Sequence, residues 1–341
     1  MISTATKTIQ LKEIILGLIK NGMYKPGDAL PSIQDFCKKY GLSKHTVSQT
    51  LSNLNELGVI ETSAGKTTRV RMNGPVPEIG LFYAGRTPLL RQPFWSEAHR
   101  GILSVLSTRQ VKIREYNLGG MPPDSIDLAQ CRGALILGNP KDEVIGHFER
   151  NAVTYVSVYH TPPRGHAGIR CDIKKAVAAM MRRFAAKGAS NIVYIDRFTR
   201  ESGQELDAEK YACVTNAAAE ENIGCTYIHS KDTVAEAYRA AVQVLKKDRV
   251  QGIVLSSDVL AQGVYRAAYD CGLKIPEDVH VAGFDNLEVS EYMIPSLSTI
   301  DLHRYEVGAQ AAEELMKTVS GEQPRAAVES VEATLLVRDS L

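Results

Sequence analysis

The residues best suited to chemistry fall into two sets, far apart in the chain. In the stretch Ser43–Gly58 (SKHTVSQTLSNLNELG), small polar and basic side chains share one helical face: Lys44, His45, Ser48, Gln49 and Ser52. Such groups donate to phosphates and base edges when a helix lies in a DNA major groove. Lys44, His45, Thr46 and Gln49 are the expected groove contacts. Lys66 and Arg69 just beyond, with Lys7 near the start, are expected at phosphates or in the minor groove. The second set lies at the ends of strand-like runs. Asp258 follows Gly252–Ser256, Asp285 follows Val279–Phe284, Asp172 closes a strand-like stretch from Ala167, and Arg86 lies in the loop after Ile79–Tyr83. Strand-end carboxylates accept from hydroxyl pairs and an arginine donates to them, the combination a small polar ligand needs in a cleft.

Each set needs elements to hold it. Leu42, Val47, Leu51, Leu54 and Leu57 recur at three- and four-residue steps, which predicts a helix with one buried face. Ser43 suits its N-cap and Gly58 its far end. Two helices are predicted before it, over 6–21 and from Ser32 to Tyr40, the latter with Ser32 and Asp35 in a capping box. Val59–Arg71 alternates like a hairpin around Ala64-Gly65, giving a wing. Asn73-Gly74-Pro75-Val76-Pro77 reads as a linker. From Glu78 onward, apolar runs of strand length alternate with helical stretches, a pattern that predicts parallel sheets covered on both faces. The runs are too many for one small sheet, so two doubly wound subdomains are expected. The fold class is therefore α/β, with an N-terminal winged helix-turn-helix at residues 1–72, a linker at 73–77 and a two-lobed body at 78–341. The expected N-subdomain is about 78–163 and 291–320, and the C-subdomain about 164–290 and 321–341.

Bulk composition agrees with this division. The chain has 341 residues, 44% hydrophobic and 23% charged, with a net charge of only +1. The distribution says more than the total. Residues 1–72 carry ten Lys and Arg against five Asp and Glu, and the remainder carries thirty against thirty-four. A basic head on a slightly acidic body fits nucleic-acid binding by the head alone. Six scattered cysteines without a C-x-x-C pair read as reduced core thiols. Neither a signal peptide nor a membrane-length apolar run is seen, so a cytoplasmic protein without membrane contact is expected.

The head resembles the GntR family of winged-helix repressors. The matching residues are Ile19–Gly22, Lys25-Pro26-Gly27-Asp28-Ala29-Leu30-Pro31-Ser32, Leu42–Val47 and Leu54–Gly58, with a glycine-bearing wing. It departs from the family pattern at Lys44, at Ile33-Gln34 and at Thr67. The body resembles the effector-binding domain of the LacI family, itself similar to periplasmic binding proteins. That match rests on Ile79–Leu81, Gly133–Ile136, Ser256–Gly263, Gly272–Val279, Ala282–Asn286, Pro295–Ile300 and Leu336–Ser340. A GntR-type head on a LacI-type body is the layout of arabinose-repressor-like regulators. The resemblance implies a DNA-binding transcriptional regulator, a repressor of carbohydrate-utilisation genes, controlled by a sugar held between the lobes. It implies a homodimer on a palindromic operator in double-stranded DNA. It places Asp258 and Asp285 in the effector pocket, an aromatic wall at Phe94 and Trp95, and Lys210 where the family carries an effector-binding arginine.

Other classes fit less well. The chain lacks G-x-S-x-G, a phosphate loop and H-E-x-x-H. Asp258 and Asp285 would make an acid–base pair only in a protein with no use for the basic head, so no enzyme, catalytic residue or cofactor is expected. His160 and His166 lie six apart in a loop with proline and glycine, and a polar loop is preferred over a metal site. The alternatives left open are a phosphosugar, purine or other small polar effector, or a sugar-binding module without DNA regulation.

Overall fold

A computed structural model describes residues 4–56, 58–62, 67–71, 77–84, 93–109, 111–118, 121–197, 205–230, 233–247, 250–320 and 327–341. The chain divides into two compact units, Met1–Pro77 with Gln110–Lys112, and Glu78–Arg109 with Ile113–Leu341.

The first unit contains α1 (Thr4–Lys20), α2 (Ile33–Tyr40), α3 (Lys44–Glu56) and a two-stranded wing, β1 (Ile60–Glu61) against β2 (Arg69–Val70). Its boundaries follow local chemistry. Ser32 and Asp35 form the capping box at the start of α2, and Gly41 takes the left-handed conformation that ends it (φ 64°). The backbone N–H of Thr46 donates to Ser43 Oγ at the start of α3. Leu11, Ile15, Phe36, Val47, Leu51, Leu54, Ile60 and Val70 pack into one core, so the helices and wing bury a common apolar surface. Ile9 and Ile14, which the periodicity of the first helix assigns to the apolar stripe, are exposed instead.

The second unit runs β3 (Glu78–Tyr83), α4 (Pro93–Leu106), β4 (Lys112–Asn117), β5 (Cys131–Leu137), α5 (Asp142–Arg150), β6 (Tyr155–Val158) and β7 (Ala167–Asp172). It continues with α6 (Lys174–Ala186), β8 (Asn191–Asp196), α7 (Glu205–Glu220), β9 (Gly224–His229), α8 (Val234–Lys247), β10 (Gly252–Leu255) and α9 (Ala261–Asp270). Last come β11 (His280–Phe284), α10 (Glu288–Tyr292), β12 (Ser298–Asp301), α11 (Arg304–Val319), β13 (Val328–Glu332) and β14 (Thr334–Leu336). Two six-stranded sheets result, in the orders β13-β7-β6-β5-β3-β4 and β14-β12-β11-β10-β8-β9. β14 lies antiparallel to β12. The pairs from β13 to β3 in the first sheet and from β12 to β9 in the second are parallel.

The sheets correct the expected subdomain limits. β7 pairs with β6, so residues 167–172 belong to the first lobe and not the second. β12 pairs with β11 and belongs to the second, whereas β13 pairs with β7 and belongs to the first. The chain therefore crosses between lobes after β7, after β12 and after β13. The crossings fall at strand ends because each sheet takes its edge strand from the last part of the chain.

Candidate functional site

On the head, α3 turns Thr46, Val47, Thr50, Leu51 and Leu54 inward and Lys44, His45, Ser48 and Gln49 outward. Thr46 is the correction here. It is 2% exposed, its hydroxyl shares a hydrogen bond with Ser43 Oγ at 2.8 Å, and its carbonyl accepts from Thr50 Oγ1. A side chain one position before Val47 lies on the same inward face, so it braces the helix start and cannot reach a base. Thr50 Oγ1 also donates to the Thr8 carbonyl, fixing α1 beside α3, and Lys7 on α1 is exposed. Arg69 is exposed on the wing, with Nη1 donating to the Gly27 carbonyl at 2.9 Å. Lys66 lies outside the described residues.

In the body, the strand ends of both lobes converge on a buried ion pair. Lys210 on α7 is 1% exposed; its Nζ donates to Asp285 Oδ1 and to the Ser256 carbonyl, each at 2.9 Å. Asp207, one turn earlier on α7, stands 3.9 Å away. Asp285 directly follows β11 with its backbone in the left-handed region (φ 102°) and is wholly buried. Its Oδ2 has no hydrogen-bond partner among the described residues. An L-residue adopts that φ only under constraint. Here the Asp285 N–H donates to the Ile300 carbonyl, which holds the turn. Burial pushes the Asp285 carboxyl up, but Lys210, Arg197 and Arg304 outweigh burial and leave it below the ordinary range. Asp207 goes the other way: burial raises it, and Lys210 and Arg197 only partly offset that.

Aromatic rings from the first lobe cover the pair. Phe94 lies 5.8 Å from Lys210 Nζ, and Phe284 lies 5.1 Å from it on the second-lobe side. Trp95 packs edge-on against Phe94 at 4.8 Å and Tyr159 at 6.0 Å, and is half-buried. Tyr159 donates its hydroxyl to the Leu302 carbonyl at 2.7 Å. Arg304 joins the lobes, donating to the Pro93 and Phe94 carbonyls on one side and the Asn286 carbonyl on the other. A cavity of about 440 Å³ opens beside this junction, lined by Pro93, Ser96, Val234, Gln262, Leu287 and Arg304 among others.

Of the expected pocket residues, the structure brings Phe94, Trp95, Lys210 and Asp285 together. Asp258 is a correction. It is fully buried, its carboxylate accepts from the Leu287 N–H at 2.9 Å and the Thr299 hydroxyl at 2.8 and 3.0 Å, and Gly283 presses against it. A β-carbon at Gly283 would come within 2.1 Å of Asp258 Oδ1. Asp258 therefore ties the loop after β11 in place from behind and does not face the cleft. Asp172 stands at the end of β7, apart from the buried pair. It is exposed at the crossing into α6, accepts from the Lys174 N–H at 3.1 Å, and its carbonyl takes the Ala333 N–H. Arg86 lies outside the described residues. Sequence reasoning missed Tyr159, Asp207 and Arg304. Tyr159 directly follows β6 and Arg304 lies three residues past β12, so the strand-end rule applied to every strand marks both.

No described helix is long and apolar enough to cross a membrane. Among the described residues no cluster of three His, Cys, Asp or Glu side chains is arranged to hold a metal ion.

A winged helix-turn-helix head with a polar, exposed helix face and a two-lobed body with a buried polar centre fit a DNA reader joined to a small-molecule sensor. Comparison with known proteins agrees. Residues 7–70 match the family model for bacterial regulatory proteins of the gntR family, and residues 181–341 match that for a periplasmic binding protein-like domain. The NTD biosynthesis operon regulator NtdR of Bacillus subtilis is 33% identical over 86% of this chain and 94% of its own length. The transcriptional repressor MelR of the same organism is 22% identical over 90% and 96%. Among solved structures, a LacI family regulator from Enterococcus faecium with bound ribose superposes with a TM-score of 0.68 at 20% identity, over 77% of this chain and 98% of that one. Another, from Arthrobacter sp. FB24 in complex with lactose, gives 0.66 at 22% identity, over 77% and 98%. The chain belongs to the HTH-type transcriptional regulators that join a GntR-type head to a LacI-like, periplasmic-binding-protein-like body. It is a DNA-binding transcriptional regulator, and the relatives it matches are regulators rather than enzymes.

Proposed function

We propose that this protein represses carbohydrate-utilisation genes and is released from its operator when a neutral sugar fills the cleft between its lobes. The observation that carries this reading is the buried Asp285 carboxylate beside Ser257, paired through one oxygen with Lys210 and, among the described residues, without a donor in hydrogen-bond geometry at the other, beneath the rings of Phe94, Trp95 and Tyr159. A buried acceptor left open favours a ligand hydroxyl, since leaving it unmade costs about 1–3 kcal/mol. The face of a half-buried aromatic ring such as Trp95 suits the C–H surface of a sugar. The ribose and lactose bound in fold relatives support the same ligand class. A phosphosugar is disfavoured because the Lys210 ammonium is already shared between Asp285 and the Ser256 carbonyl. Lys44, His45 and Gln49 read the operator, with Lys7, Lys66 and Arg69 on its phosphates. A homodimer sets two heads on a palindrome, with residues 1–72 as the head, 73–77 as the linker and 78–341 as the sensor.

Thermal shift of the full chain against mono- and disaccharides tests the ligand class. A cognate sugar at 100 times its Kd adds about 2.7 kcal/mol of stability, and Asp285→Asn removes the shift. Operator titration with that sugar present should then weaken binding. A panel without any shift, or one in which only phosphorylated sugars stabilise, overturns the reading.

A further inference from the structure

One polar cluster outside the ligand centre spans the two lobes. Arg170 lies on β7 of the first lobe. Its guanidinium meets Glu205 Oε1 at 2.8 Å and Glu209 Oε2 at 2.5 Å, both on α7 of the second lobe. Thr161, in the loop after β6, donates its N–H to Glu205 at 2.9 Å and its hydroxyl to the same carboxylate, and Arg170 donates to that hydroxyl in turn. His160 Nδ1 stands 3.4 Å from Glu205. Thr161 is exposed, but the side chains of His160, Arg170, Glu205 and Glu209 are half-buried, so their charges are screened less than at an open surface.

Helical geometry gives the cluster its meaning. Glu205 and Glu209 are four residues apart and share one face of α7. Asp207 and Lys210 share another, roughly 150° away at about 100° per residue. The helix that presents Lys210 to Asp285 is therefore held on its opposite side by the first lobe. Separating the lobes removes every one of these contacts at once.

We infer that Arg170, with Thr161, is a positioning residue. It clamps α7 across the lobe junction, holds Lys210 against Asp285, and sets how far the body is closed before any ligand arrives. This rests on the proposed ligand site only in that α7 carries Lys210. A fork donor is needed because two carboxylates must be held at once, which a lysine ammonium does poorly.

The chain supplies its own reporter. Trp95 is its one tryptophan and packs against Phe94 and Tyr159 at the junction. The test is acrylamide quenching of Trp95 in the ligand-free full-length protein, paired with the radius of gyration from solution scattering. Arg170→Ala should raise the quenching constant about two-fold and enlarge the radius, as closed molecules shift to open ones. Glu205→Gln with Glu209→Gln should do the same. The triple variant should add nothing further, because both changes break one interaction. Arg170→Lys should fall between wild type and alanine. Unchanged quenching in both folded variants, or effects that simply add, overturns the clamp. Should Arg170→Ala not fold, the isosteric glutamine pair carries the test. No sugar is used, so a failure here is distinct from a failure of the ligand reading.

Discussion

Two of the body's buried carboxylates, Asp258 and Asp285, have opposite environments. Asp285 has a cation beside it and stays ionised; Asp258 has none in contact, and burial, with the Asp285 charge nearby, pushes its carboxyl well above the ordinary range. The two contribute to stability with opposite signs. The Asp285 contribution is present above the unfolded carboxylate value near 3.9 and is lost as pH falls through its lower folded value. That of Asp258 is present below about 3.9 and is lost as pH rises through its higher folded value. Asp258→Asn should therefore gain on wild type as pH rises from about 4, because a neutral amide does not titrate. Asp258→Ala should lose about 2–4 kcal/mol near pH 4, since it leaves the Leu287 N–H unbonded and opens a cavity, and the loss should shrink as pH rises because alanine does not titrate either. Urea melts of both variants at several pH values check this. Lys210→Ala should cost about 3–5 kcal/mol by stranding Asp285, and the double variant Lys210→Ala with Asp285→Ala should cost less than the sum. Additive losses in the same melts would mean that the pair is not coupled. These contrasts also show what sequence can reveal. A strand-end aspartate was visible at both positions. Which one faces the cleft depends on Leu287, Thr299 and Gly283, distant in sequence or folded back behind the loop.

Elements were read well where the pattern was strong. The strands from Ile79 to Phe284 announce themselves as apolar runs. β13 and β14 do not, because edge strands expose half their residues: Val328–Glu332 reads VESVE, with four of five exposed. α11 went unread although it packs along α4. Their contact is close enough that a β-carbon at Gly101 would lie 1.9 Å from the Tyr305 carbonyl oxygen, and one at Gly308 would lie 2.1 Å from that of Ala98. Two hundred residues separate these glycines, so no local pattern announces the match. Gly308→Ala should force the helices apart and cost about 1–3 kcal/mol in a denaturant melt. A neutral substitution would mean that the helices slide freely. On the head, Lys44→Ala and Gln49→Ala should each weaken operator binding about 5- to 150-fold, at roughly 1–3 kcal/mol apiece for a base contact. Thr46→Ala should act through stability instead, losing its hydroxyl bond to Ser43. Gel-shift titration beside thermal melting separates the two effects.

On the scale of the whole molecule, the proposed function requires cleft and operator occupancy to be linked reciprocally, by about 5- to 150-fold in affinity for typical coupling. Operator affinity measured with and without the cognate sugar, and sugar affinity measured with and without operator, should change by the same factor. Unequal factors would show that the sites are not in simple equilibrium. Connectivity has a further consequence, for birth rather than for binding. Each sheet of the body takes an edge strand from residues 328–336, whereas the head is assembled from the first 77 with one short later segment. On a ribosome adding about 5–20 residues each second, helices that touch DNA emerge many seconds before either lobe has all its strands. A messenger truncated before β13 would leave a reader without its sensor. Such a fragment would carry the head with neither lobe's sheet complete, so a premature stop codon there removes the cleft while sparing the reading helix.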